Sequence, residues 1–255
     1  ASNTHPDGAP ELATRSWGEL EGYTDIPNDG QLSSSKKREL RHGYYACVSY
    51  VDAQVGRLME LLQDLSLAEN TIVLLWGDHG FHLGEQGLWT KANNYELSTR
   101  VPLILSVPGE TKRGIETNAI VELVDVYPTL SALCRLPAPE GVEGINLQPL
   151  LKQPALPWKQ AAFSQYPRAR EENRHRGHGE IMGYAIRTSR YRYVEWQFWQ
   201  TQQVTARELY DHQNDPHEMK NIADQAGHQN TLKTLSRLLA DGWQAALPVA
   251  TESDQ

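Results

Sequence analysis

A chain of 255 residues with 24 Lys and Arg against 32 Asp and Glu has a formal charge of −8. Its short basic cluster Lys36-Lys37-Arg38 argues against a nucleic-acid surface, so nucleic acid is not expected as a partner. Two cysteines, Cys47 and Cys134, build no disulfide framework, and no run approaches the ~18 apolar residues of a membrane span. The first residues lack the basic start and apolar core of a signal peptide. This length suits one large domain, or one domain with a smaller companion.

Residues 1–34 are rich in Pro, Gly, Asn, Asp and Ser, with anchors at Trp17, Tyr23 and Ile26, and predict a long loop. Loops of this length are uncommon in a compact domain. The segment is expected to lie over a larger polypeptide. Residues 35–66 predict a helix capped by Ser34 or Ser35, with Glu39 in its early turns. Val51, Val55, Leu58, Leu62 and Leu65 recur at three- and four-residue spacing and form an apolar stripe. Cys47, close to that stripe, is expected to be a buried structural thiol.

After a turn at 67–70, the apolar run 72–76 reads as a buried strand that breaks at Gly77 into Asp78-His79-Gly80. The carboxyl ends of strands are where open α/β sheets place their chemistry. Asp78 can give an oxygen and His79 a nitrogen to a metal, while Lys91 and His82 stand close in sequence to meet an anion. A plain polar loop after a strand accounts for the same Asp-His pair. Helix, turn and buried strand in this order suggest half of a βαβ unit and an α/β sheet.

A second strand is expected over 101–107, started by Pro102 and stopped by Pro108-Gly109. A helix follows over 120–133, with Pro128 expected to kink or restart it. Cys134 is expected to be buried, and the proline-rich stretch 135–160 reads as a connection between subdomains. Beyond it, 163–166 predicts a strand. The segment 167–180 carries Arg168, Arg170, Arg174, His175, Arg176 and His178, and is either a solvated loop or an edge that recognises an anionic substrate. Residues 182–188 and 191–196 form a hairpin about Ser189-Arg190. A third strand at 207–211, a helix start at 217–222 and an amphipathic helix over 230–246 complete a small antiparallel sheet with a terminal helix.

The run Trp76-Gly77-Asp78-His79-Gly80-Phe81-His82-Leu83-Gly84-Glu85-Gln86-Gly87-Leu88-Trp89-Thr90-Lys91 resembles the metal- and sulfate-binding stretch of sulfatases in the alkaline phosphatase superfamily. It is most similar to the iduronate-2-sulfatase-like group. Supporting segments are Tyr44-Tyr45-Ala46 through Gly56-Arg57-Leu58, Thr99-Arg100-Val101-Pro102, Ser164-Gln165-Tyr166-Pro167-Arg168, Ile181-Met182-Gly183-Tyr184-Ala185-Ile186-Arg187-Thr188, Glu208-Leu209-Tyr210-Asp211 and Asn214-Asp215-Pro216. The resemblance implies the C-terminal part of an alkaline-phosphatase-like α/β sandwich plus a small antiparallel α+β subdomain. It divides the chain into a loop at 1–34, catalytic-domain sequence at 35–155 and a subdomain at 156–255.

By that resemblance, Asp78 and His79 match ligands of a divalent cation, typically Ca²⁺, although a hard cation prefers oxygen. Lys91 matches the lysine that clamps sulfate, and Lys91 and His79 are the catalytic candidates. His82 and Trp89 are weaker substrate-pocket candidates, and Arg187 and Tyr184 are expected to be structural or rim residues. The substrate implied is a sulfated sugar or glycosaminoglycan. The location implied is periplasmic or secreted, and lysosomal in a eukaryote.

The departures matter as much. Members make a formylglycine nucleophile from the cysteine of C-x-P-S-R or C-x-A-S-R, whereas Cys47 is followed by Val-Ser-Tyr and Cys134 by Arg-Leu-Pro. The early Asp-Asp metal pair is also absent. The chain is therefore expected to be the C-terminal half of such an enzyme, inactive alone, with the N-terminal half of the fold as its partner. A metal-dependent phosphatase or phosphodiesterase of the same superfamily, and a non-catalytic sulfated-glycan-binding protein, are the alternatives.

Overall fold

A computed structural model describes residues 4–15, 18–27, 32–110, 114–137, 140–169 and 180–248. Trp17 and the Arg/His-rich positions from Arg170 to His178 lie outside the described residues. Contacts divide the chain into two compact units, Ala1–Pro6 with Thr14–Gly109, and Asp7–Ala13 with Glu110–Gln255. This division falls earlier than the boundary expected at 155, because the 120s are tied to the sheet that follows them. The Lys159 ammonium sits 2.7 Å from both Glu122 Oε2 and Asp125 Oδ1, with Asp125 fully buried. The Phe163 amide also donates to Glu122 Oε1 at 2.8 Å.

The N-terminal segment is not an unbroken loop. It forms a helical turn, α1 (Glu11–Thr14), and a 3-10 turn at Leu20–Gly22. The first unit is then led by α2 (Ser34–Asp64), whose cap is Ser33: its hydroxyl accepts from the Lys36 amide at 3.2 Å. The helix ends where Ser66 takes a positive φ of 57°. There the Leu67 amide bonds to Leu62 O and the Ser66 amide to Gln63 O, each at 2.9 Å. That is a Schellman closure with serine in the position glycine usually holds.

The apolar stripe has helical spacing, but no α2 side chain is buried; Val51 and Leu65 are each 58% exposed and Leu58 63%. Cys47 and Cys134, expected inside, are exposed. The chain continues through β1 (Val73–Trp76), β2 (His82–Leu83), β3 (Trp89–Thr90), the single turn α3 (Glu96–Thr99) and β4 (Leu103–Ser106). β1 pairs antiparallel with β4, Val73 opposite Ser106 and Trp76 opposite Leu103, and β2 pairs antiparallel with β3. The ladders described here are thus antiparallel, in place of the parallel neighbours that a βαβ order suggests. Among the described residues no helix is long and apolar enough to cross a membrane.

In the second unit, α4 (Val126–Leu133) and α5 (Gln148–Lys152) precede the sheet. Pro128 falls in the first turn of α4, where its absent N–H has no intrahelical partner to lose, so it neither kinks nor restarts the helix. A four-stranded antiparallel meander follows: β5 (Ala161–Arg168), β6 (Ile181–Thr188), β7 (Tyr191–Phe198) and β8 (Val204–Asp211). Consecutive residues of β6 and β7 are buried, so both faces of the sheet are covered there. Phe163, Ile186, Tyr193 and Leu209 are opposite one another in successive strands, forming one apolar row across the sheet.

Leu235 and its apolar neighbours on α6 (Gln229–Asp241) pack on that row. Ser236 of α6 also donates to the buried Glu195 carboxylate at 2.7 Å. The helix start expected at 217–222 is absent; Glu218 has φ 53°, and Asn221 Oδ1 accepts from the amides of Leu209 and Ala223. Side-chain hydrogen bonding of this kind competes with helix formation.

Candidate functional site

β1 ends at Trp76, and the Gly77 amide still donates to Pro102 O at 3.1 Å. The strand end is therefore held as it delivers Asp78 and His79. Gly80 follows because nothing larger fits: a Cβ there would stand 1.9 Å from Leu97 O of α3. Its amide donates to Ser98 O at 2.9 Å. The D-H-G triplet is thus a turn pressed against α3, with the Asp78 and His79 side chains left outside it.

Asp78 Oδ1 accepts from the His79 amide at 2.9 Å, and Asp78 Oδ2 lies 3.5 Å from His79 Nε2. His79 Nδ1 bonds to Gly80 O at 2.9 Å. A carbonyl can only accept, so Nδ1 carries the proton in that bond, and Nε2 of the neutral ring keeps its lone pair. One carboxylate oxygen and one imidazole nitrogen therefore converge on open space. Donors bonded to one cation at about 2.0–2.6 Å stand roughly 3 Å apart, so the pair fits as part of a divalent shell. Two donors are well short of the about 6–8 oxygens that Ca²⁺ takes.

The rest of the loop is built to present Lys91. Gly84 (φ 103°), Gln86 (φ 56°), Gly87 (φ 70°) and Thr90 (φ 67°) all sit in the left-handed region. At Gly84 a side chain would also meet Arg41 and Trp89. Glu85 Oε2 ties the turn by accepting from the Leu83 amide at 2.7 Å. Arg41 of α2 donates to Leu83 O at 2.7 Å and places its guanidinium 5.9 Å over the Trp89 ring. Trp89 is half-buried beneath it.

His82 is fully buried, its Nδ1 3.4 Å from Glu85 O and its ring edge-on to Tyr95. That is the placement of a packing histidine. Lys91 is half-buried and ion-paired: its ammonium lies 2.5 Å from Glu19 Oε1. Tyr23 donates to the same oxygen at 3.3 Å. Burial, with the Glu19 charge second, raises the Tyr23 pKa and keeps the phenol a donor.

The structure thus joins Asp78 to His79 and Lys91 to Glu19. Glu19 and Arg41 were not singled out from sequence, and Tyr23 was read only as an anchor of the N-terminal loop. Contacts across such separations leave no local signal, and an isolated acidic residue in a polar loop looks like any other.

The comparisons with known proteins agree on what this loop belongs to. A family model described as "Sulfatase" matches residues 7–135, and one described as "N-sulphoglucosamine sulphohydrolase, C-terminal" matches residues 84–244. The iduronate 2-sulfatase of Mus musculus is 32% identical over 90% of this chain and 53% of its own length. That of Homo sapiens is 34% identical over 75% and 45%.

Among solved structures, a complex with the substrate D-glucosamine-2-N,6-O-disulfate has a TM-score of 0.73 at 30% identity, covering 86% of this chain and 44% of that one. A phosphonate monoester hydrolase from Silicibacter pomeroyi has a TM-score of 0.77 at 25% identity, covering 91% and 46%. The fold is α/β, of the alkaline-phosphatase-like kind. The chain belongs to the sulfatase family. It spans about half the length of the curated relatives it matches.

Proposed function

We propose that this chain forms one wall of a site that hydrolyses sulfate monoesters on a sulfated sugar, as in the iduronate-2-sulfatase-like enzymes. The observation that carries the reading is the convergence of Asp78 Oδ2 and His79 Nε2 at 3.5 Å on the strand end of a family-matching loop. Family membership implies a divalent cation. Asp78 and His79 are the residues here that would hold it, and Ca²⁺ is the ion proposed. Bound there, it would draw charge from a sulfuryl oxygen as a Lewis acid.

Lys91 supplies a positive charge for a second sulfuryl oxygen, and its worth grows as water is excluded from the site. Trp89, steadied by Arg41, offers an aromatic face at the loop for a sugar ring. No residue of these 255 stands in the formylglycine motif. The nucleophile is therefore proposed to come from the other half of the fold, and this chain alone is proposed to be inactive. The uncovered apolar residues of α2, with Trp76 and Ile104 at 49% and 59% exposure, supply an apolar surface for that half. A periplasmic, secreted or lysosomal location is part of the same proposal.

Calorimetric titration of the chain with Ca²⁺ tests the wall directly. The expected result is weak binding, completed by water in place of the missing donors, that is lost in Asp78→Ala and in His79→Ala. Turnover of a sulfated sugar or aryl sulfate by the purified chain with metal supplied would overturn the proposed inactivity. A second reading, phosphoester or phosphonate hydrolysis, is favoured by the likeness to the phosphonate monoester hydrolase. Preference of the wall for a sugar phosphate over the matching sugar sulfate would support it.

A further inference from the structure

We propose that Glu19 is the resting counter-ion of Lys91, a positioning residue that holds the ammonium where a sulfate will later sit and must yield its place to that anion. The inference rests on the reading above that Lys91 meets the sulfate. A free sulfate group and a carboxylate are alike in chemistry at this point: each presents a charged oxygen to the ammonium. Glu19 Oε1 is 2.5 Å from Lys91 Nζ, and the two side chains are 21% and 35% exposed, so this pair is more sheltered than an ordinary surface ion pair.

The delivery of Glu19 favours a replaceable partner over a fixed one. It immediately precedes the 3-10 turn Leu20–Gly22, between Gly18 at φ 81° and Asp25 at φ 67°. Leu20 and Ile26, each 8% exposed, anchor this short turn. The carboxylate can rotate off Lys91 while both anchors stay buried. Tyr23 then serves as its alternative partner, since the phenol already donates to Oε1 from four residues away.

The backbone that carries Lys91 is held more firmly. Lys91 follows directly on β3, behind Thr90, whose backbone is in the left-handed region and whose side chain is 4% exposed. An anion arriving at Lys91 therefore displaces Glu19 and not the lysine. Without Glu19, the ammonium would lose its orienting partner but gain affinity for any oxyanion.

The test is binding of inorganic sulfate to the full chain at constant ionic strength, with chloride as the balancing ion. Glu19→Gln should bind sulfate about three- to fivefold more tightly than the wild type, a factor set by the modest worth of a part-exposed pair. Glu19→Asp, which keeps the charge, should return toward the wild-type value, and Lys91→Met should lose binding. If Glu19→Gln binds no more tightly while Lys91→Met still abolishes binding, the Glu19 proposal falls and the Lys91 reading stands.

If Lys91→Met binds like the wild type, or no form binds sulfate, the Lys91 reading falls and takes the proposal with it. A second readout needs no variant. In the wild type, sulfate should shift the Glu19 side-chain carboxyl ¹³C resonance together with the Lys91 ammonium ¹⁵N resonance. A moving Lys91 with a static Glu19 overturns the exchange.

Discussion

Replacing Gly80 by alanine should disturb the geometry of the strand end while leaving the Asp78 and His79 side chains in place chemically. A Cβ at this position would meet Leu97 O at 1.9 Å and Leu97 C at 2.8 Å, with Arg100 O at 3.2 Å. Carbon–oxygen contacts settle at roughly 3.3 Å or more, so α3 must retreat by over about 1 Å. All three obstructing atoms are backbone and cannot rotate aside. Overpacking of this kind costs about 1–3 kcal/mol. The retreat also stretches the 2.9 Å bond from the Gly80 amide to Ser98 O, worth about 1 kcal/mol.

Gly80→Ala should therefore lose about 2–4 kcal/mol of local stability. Hydrogen exchange read by mass spectrometry on peptides spanning 73–106 reports that quantity for this region alone, which suits a chain of two units. Because His79 Nδ1 is fixed by Gly80 O, Ca²⁺ binding should weaken in step. Gly43→Ala, read on peptides spanning 34–64, is the control of opposite sign. It lies inside α2 with nothing within 4 Å of a new Cβ, and should stabilise by ~0.5–1 kcal/mol. Protection within about 0.5 kcal/mol of the wild type in Gly80→Ala would refute the close-approach argument.

The remaining predictions concern the second unit. Asp211 accepts two bonds from the Arg190 guanidinium, and these, with the Asn214 amide, hold its pKa down at about 2 against an ordinary 3.8. A depressed acid stabilises the fold above its unfolded pKa, so this contribution is complete above about pH 4 and is lost as pH falls through about 2. With Arg190 44% exposed to solvent, it amounts to ~1 kcal/mol, and Asp211→Asn should flatten the acid limb of a stability–pH curve by that much. Lys159→Met leaves the fully buried Asp125 without its cation and should cost about 3–5 kcal/mol in urea unfolding.

Much of the second unit was legible because its signals are local. The aromatic-rich runs 182–188 and 191–196 name the two strands, Ser189-Arg190 sets the turn, and the structure pairs Ile186 with Tyr193. The helix proposed at 217–222 failed for a non-local reason: the Asn221 side chain is committed to the amides of Leu209 and Ala223. Pro128 was read as a break because sequence does not say where a helix begins. Once the start falls at Val126, the same residue is acceptable.

The first unit shows the opposite balance. The motif at 76–91 named Asp78, His79 and Lys91, since an adjacent oxygen and nitrogen donor and a glycine-punctuated loop are written consecutively. What each side chain faces was not written there. His82 resembles a site residue by its neighbours in sequence, yet Tyr95 and the Glu85 carbonyl enclose it.

The stripe on α2 likewise gave the correct helix and the wrong inference of a core. Helical periodicity reports which residues share a face, and it does not report what lies opposite. Val51, Leu58 and Leu65 satisfy the spacing while remaining more than half exposed. A helix patterned for burial and left uncovered is a statement about a partner surface. In the reading proposed here, that surface belongs to the half of the fold that also carries the nucleophile. One feature then accounts for both the unfilled helix face and the incomplete ligand set at Asp78 and His79.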